Sequence, residues 1–256
     1  MLGTHWHNLL LFFLWITPHL LLAAVAAIIG KRRLYLEFPC FFAFVLCEIA
    51  EFILLFSLRF VHSVTQEQYA YVFSVTLFLS LALGFGVIDE VSKDLFRESQ
   101  FLKVAARRLL QCIAGLLLGI GAVLAVYAPG NHSVKWHAGV FVVNRGAAMV
   151  QCGLLLSLLL LSRFLGLAWR RPAFGITLGL GILASVDLAT SALRAEFTSD
   201  AARELLNLLT TGTYLVCVLV WIAYLLVPER KPATPTAVHH DEVEIWNREL
   251  QHFLKH

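Results

Sequence analysis

Five ionisable side chains interrupt otherwise apolar runs of this sequence: His19, Glu48, Glu51, Arg145 and Asp187. Ionisable groups in lipid are costly, so they face a bundle interior or a water-filled cavity and pair with one another. Glu48 and Glu51 stand three residues apart, which puts both carboxylates on one face of a helix. Neighbouring carboxylates tend to share one proton, because like charges oppose joint ionisation. That would suit a proton-linked or pH-sensing step, and equally one inert protonated Glu.

Depth follows from counting along a helix that rises 1.5 Å per residue. Glu51 lies about 15 residues from the end of its apolar run that meets a basic loop, Asp187 about 14 and Arg145 about 17. The three therefore share one level, in the outer half of a membrane. Asn144, Ser191 and the helically spaced stripe Asn207, Thr210, Thr211 and Tyr214 belong to the same layer, while His19, after the kink-prone Pro18, lies deeper. Read for chemistry, the layer is an outward-opening polar pocket. Its ligand-binding set is Glu48, Glu51, Asn144, Arg145, Asp187, Ser191, Thr210, Thr211 and Tyr214. Arg145 would counter Glu51 or Asp187, and the surplus acid would take a cation, a proton or a polar ligand. A buried ion-pair network that fixes helix register and binds nothing would use the same residues.

Other chemistry finds little support. No apolar run contains Lys, so a retinal Schiff base of the microbial rhodopsin kind has no anchor. A transmembrane b-type haem needs two facing axial histidines, and intramembrane zinc hydrolysis needs several His beside a carboxylate; only His19 lies at depth. G-x-S-x-G, H-E-x-x-H and phosphate-loop patterns are missing. No catalytic residue, cofactor or metal is therefore assigned, and enzyme activity is disfavoured. His5, His7, His62, His132 and His137 all fall on the outer side and could hold Zn or Cu, but no fixed ligand spacing supports that. The five cysteines sit in apolar blocks without a C-x-x-C pair, so they read as packing groups.

The elements that must position these groups are membrane helices. Apolar residues make up 59% of the 256 residues and charged residues only 14%, against about 45–50% and about 25% in soluble domains. The surplus sits in long blocks, and seven spans follow: 8–30, 36–60, 69–88, 109–128, 138–162, 173–194 and 206–227. The first run is too long for a signal-peptide core and has no basic residue before it. Loop charge sets the orientation. One side holds Lys31, Arg32, Arg33, Lys93, Arg97, Lys103, Arg107, Arg108, Arg163, Arg170, Arg171, Arg230, Lys231, Arg248 and Lys255; the other holds Arg59, Lys135, Arg194 and Arg203. The basic side is the cytoplasmic one, so the N-terminus is outside and the C-terminus inside. Fold class is thus all-α, a polytopic seven-helix bundle.

Trp6, Trp15, Trp136, Trp169, Trp221 and Tyr224 flank the spans as aromatic belts would. Gly115 with Gly119, and Gly175 with Gly179, are spaced to let helix backbones approach closely within the bundle. The bundle occupies 1–227, and a Pro/Thr/Ala-rich linker follows over 228–239. A short cytoplasmic amphipathic helix over 240–256 aligns Val243, Trp246, Leu250, Phe253 and Leu254 on one face. Its acidic polar face argues against binding anionic lipid.

The stretch Arg145, Met149, Gln151-Cys152-Gly153, Leu165 to Arg170 and Phe174-Gly175-Ile176, together with Glu244, Trp246, Asn247 and Leu250 in the tail, resembles uncharacterised seven-helix membrane proteins of soil bacteria. The resemblance spans most of the chain and implies a bacterial inner membrane and a periplasmic N-terminus, but no function. Three functions fit the residues. A receptor-like or sensory protein would bind its ligand in the pocket and signal to a cytoplasmic protein through the loops and tail helix. In that reading Asp89, Glu90, Asp94 and Glu98, facing Lys103, Arg107 and Arg108, would report helix motion; a solvated loop with local ion pairs is the plainer account of those charges. A small proton- or ion-coupled transporter is the second, and a structural or accessory subunit the third. The lipid bilayer is the expected partner, nucleic acid is not, and oligomeric state is not legible.

Overall fold

The computed structural model describes residues 2–60, 65–96, 108, 112, 115, 116, 119, 132–164, 169–196 and 199–227, with side chains described except at 2–12, 15, 59, 60, 66, 67, 132–142 and 200. Among these residues there are six α-helices: α1 (Leu2–Lys31), α2 (Pro39–Phe60), α3 (Gln66–Leu95), α4 (His132–Phe164), α5 (Arg171–Glu196) and α6 (Asp200–Leu226). A 3-10 turn, Leu34–Leu36, links the first two. Five stretches are long and apolar enough to cross a membrane: Pro39–Leu58, Gln68–Leu95, Val143–Phe164, Arg171–Arg194 and Ala201–Leu226. The apolar stretch Ile16–Lys31 of α1 is shorter. Such segments are helical because lipid offers the backbone no hydrogen-bond partner, so each must satisfy its own amides. This is the architecture of a polytopic helical membrane protein. The expected span at 109–128 lies outside the described residues apart from four isolated positions, and the linker and tail helix expected over 228–256 lie wholly outside them.

The six helices close a ring. α1 packs on α2 and α6, α2 on α3, α3 on α4, α4 on α5 and α5 on α6, while α3 also reaches α5 across the middle. Outward-facing apolar residues such as Leu20, Ile53, Leu79, Leu160 and Leu219 are exposed, as side chains against lipid tails would be. The well-buried core is gathered at one end of the ring, where α1, α3, α4 and α6 finish and α2 and α5 begin; we refer to it as the basic end after its loops. It contains Leu22, Val25, Ile29, Phe41, Val45, Val87, Val91, Ile176, Trp221 and Leu225.

Two local sequences explain how tightly this end closes. Gly175 and Gly179 lie under α6, where a Cβ would stand 2.3 Å from the Tyr224 Cβ and 2.2 Å from the Trp221 indole nitrogen. Glycine is required there because the α6 aromatics occupy the space. Trp221 is consequently buried in the core, edge-on to Phe41 and Phe44, and its indole N–H donates to the Ile176 carbonyl at 3.4 Å. This corrects its assignment to an interfacial belt. Gly115 and Gly119, by contrast, have open space where a side chain would start.

Charged groups complete the seal. The expected third span ended at 88, but α3 continues to Leu95 and its acids are put to structural use. Glu90 accepts the backbone N–H groups of Cys40 and Phe41, each at 3.1 Å, which caps the N-terminus of α2 with a carboxylate where free amides and the helix dipole favour one. Arg170 spans Glu37 at 2.8 Å and Asp94 at 3.4 Å. Asp89 pairs with Lys93 one turn on, and Arg32 donates to the Leu226 carbonyl at the end of α6. Glu90 and Asp94 thus cross-link helix ends, while Asp89 makes a local ion pair within α3. Glu98, Lys103 and Arg107 lie outside the described residues.

Candidate functional site

Immediately beyond the core, toward the end opposite the basic loops, the helices of the ring line a half-open cavity of about 350 Å³. Every helix of the ring contributes to its wall. α1 supplies Pro18 and His19, α2 Phe44, Glu48 and Glu51, and α6 Thr210, Thr211 and Tyr214. From α3 come Leu77, Ser80, Leu81 and Gly84; from α4 Asn144, Ala148 and Gln151; and from α5 Leu183, Ala184 and Asp187. Along α2 to α6 the contributions recur at intervals of three, four and seven residues, as one inward stripe must. The size falls within the range of about 300–1,000 Å³ usual for small-molecule sites.

The carboxylates in this wall are held in two ways. Glu48 is tied down: the Ser80 hydroxyl of α3 donates to its Oε1, and the Tyr214 hydroxyl of α6 donates to its Oε2 at 3.3 Å. Glu51 and Asp187 are not. No ion pair among the described residues, within 4.0 Å, involves either of them. Glu51 has the Thr76 hydroxyl as a hydrogen-bond partner, and that group also donates to the Phe73 carbonyl at 3.0 Å. The Thr210 and Thr211 hydroxyls donate back along α6, to Leu206 and Asn207 at 2.9 Å, so they offer the cavity acceptor lone pairs. The Gln151 amide donates to the Leu81 carbonyl at 3.4 Å across Gly84, where a Cβ would stand 2.7 Å from Nε2. The cavity is therefore rich in oxygen acceptors and poor in cations.

Of the nine residues expected to bind ligand, seven line the cavity: Glu48, Glu51, Asn144, Asp187, Thr210, Thr211 and Tyr214. Arg145 and Ser191 do not. Arg145 follows Asn144, and one residue turns the helix by about 100°, so the guanidinium leaves the inward stripe; it makes no ion pair with Glu51 or Asp187 among the described residues. Ser191 lies one turn past Asp187, and its hydroxyl donates to the Leu188 carbonyl at 2.8 Å. Asn207 likewise leaves its stripe, accepting from Arg194 at 3.0 Å. Three polar lining residues were missing from the expected set: His19, Ser80 and Gln151. Ser80 was detectable, since it continues a polar series from Thr76 on an apolar span. Gln151 was visible as a polar residue two turns along from Asn144.

Among the described residues no group of three or more His, Cys, Asp and Glu could hold a metal ion, and the outer histidines lie outside the described side chains. The described cysteines are free: Cys152 and Cys217 are buried and Cys112 is exposed. Comparison with protein families, with curated proteins and with solved structures gives no match, and the function has to be argued from the cavity.

Proposed function

We propose that this chain is a receptor-like, sensory membrane protein that binds a small polar or cationic ligand, or a proton, in the cavity lined by its helices. The observation that carries the reading is the pair Glu51 and Asp187, two carboxylates on a cavity wall that make no ion pair within 4.0 Å among the described residues. An unpaired charge away from water costs several kcal/mol or is neutralised, so a bound cation or proton is the natural complement. A ligand there touches every helix of the ring, so binding would bias the whole bundle and reach the basic loops. The packed core between the cavity and the basic end favours a sensor over a carrier, because a carrier would have to part Trp221 from Gly179 in each cycle.

The wider reading rests on charge and connectivity. Leu95 closes α3 at the basic end, whereas His132 opens α4 at the opposite one. That supports a seventh span. Basic loops on one side support a cytoplasmic C-terminus, and the resemblance to soil-bacterial proteins supports a bacterial inner membrane.

Thermal unfolding in mild detergent, across a panel of inorganic cations, amines and neutral polar solutes, tests the proposal. A ligand present at about 100 times its Kd stabilises by about 2.7 kcal/mol, and Asp187→Asn should abolish that response while leaving the fold intact. No response to any compound or to pH would overturn it. Uptake of the same ligand into proteoliposomes would replace the sensor with a carrier.

A further inference from the structure

We infer that the ligand is an organic ammonium, with its cationic head at Glu51 in the interior cavity and its apolar body in a second chamber. The inference rests on reading the interior cavity as a ligand site. The second chamber has a volume of about 400 Å³ and is lined by His19, Glu48, Glu51, Phe52, Leu55, Tyr69 and Phe73. Its first three residues also line the interior cavity, so the two spaces share one wall of acid and imidazole.

Polarity changes in one direction along that wall. On α2, Glu48 and Glu51 are followed on the same stripe by Phe52 and Leu55, each step further from the basic end. On α3, Ser80 and Leu77 give way to Phe73 and then Tyr69. His19 stacks on Phe52, with ring centroids 3.9 Å apart and planes 18° from parallel, and Tyr214 stands 5.8 Å from His19. Tyr69 and Phe73 are 38% and 43% exposed, so the aromatic chamber reaches the protein surface where they stand.

A bare inorganic cation needs a shell of oxygens, which this second chamber lacks; beyond its two carboxylates it offers one phenol. Aromatic faces attract a cation within about 6 Å, and quaternary and methylated ammonium groups are bound in this way. Carboxylates meanwhile accept strong hydrogen bonds from a primary ammonium. A molecule carrying both an ammonium and an apolar body uses both chambers; a metal ion or a sugar uses one. The same chemistry could arrive as a water-soluble amine or as the headgroup of an aminophospholipid.

The test is a thermal-unfolding titration of the full chain in detergent with sodium, methylammonium and phenethylammonium chlorides at constant ionic strength. Phenethylammonium, whose ring the aromatic chamber would take up, should act at roughly tenfold lower concentration than methylammonium, with sodium weaker still. Phe73→Ala should remove that preference and keep the methylammonium response; Phe73→Leu, which keeps the chamber filled, should reduce it in the same direction. Glu51→Gln should weaken both amines. Equal responses to methylammonium and phenethylammonium, or an undiminished preference in both Phe73 variants, would overturn the inference while leaving a cation site in the interior cavity. Silence toward all three salts, with a response to neutral solutes or pH alone, would also overturn it. Competition of phenethylammonium by phosphatidylethanolamine in mixed micelles would assign the ammonium to lipid, and its absence to a soluble amine.

Discussion

At the basic end of the ring, Glu90 accepts two backbone amides of α2 and Arg170 spans two carboxylates. Midway along the same helices, Glu51 and Asp187 face a cavity and make no ion pair within 4.0 Å among the described residues, with Arg194 acting on Asp187 only at longer range. Both regions are built from acids on membrane helices, and they differ in whether the protein supplies the partner. Where it does, the acid acts as a fastener: Glu90 satisfies the orphan amides that any helix start leaves open. Where it does not, the complement has to come from outside. Glu48 sits between the two cases, lining the cavity while fixed by Ser80 and Tyr214.

Stability measurements on variants can break or sharpen this contrast. The largest loss is expected from Trp221→Ala, because the indole fills the space over Gly179 and meets Phe41 and Phe44. Removing a buried large aromatic costs about 3–5 kcal/mol, readable as a shift in the denaturant midpoint. A Trp221 variant that unfolds like the wild type would mean that the basic end is looser than its packing indicates. Glu90→Ala comes next, at about 1–2 kcal/mol for the lost cap, and Glu90→Gln should recover part of it by keeping one acceptor. Smallest of all is Asp187→Asn, expected within about 0.5 kcal/mol of wild type or slightly stabilising while ligand response disappears. If Asp187→Asn costs as much as Glu90→Ala in the same assay, the two regions do not differ and Asp187 is a structural acid.

The sequence errors have a common geometrical origin. Residue counting gave Arg145 the height of Glu51 and Asp187, and height says nothing about direction around a helix axis. Its neighbour Asn144 faces the cavity, so the 100° turn of the next residue carries Arg145 away. Trp221 was misjudged for a related reason. A tryptophan near the end of a span is a reasonable belt residue until Gly179 on the neighbouring helix is found directly beneath it. Seven of the nine expected residues nonetheless line the cavity, because polar groups on an apolar span avoid lipid and point inward wherever the helix lies.

The sequence by itself determined that the chain is helical and where its apolar segments run, since a long apolar segment in lipid must satisfy its own backbone hydrogen bonds. It also determined which residues are polar enough to seek the interior. The order of helices around the ring, the facing of Arg145 and the meeting of Gly179 with Trp221 were decided only in the tertiary structure. Lipid tails are as apolar as leucine, so no hydrophobic gradient marks one face of such a helix, and close packing between particular neighbours makes that choice.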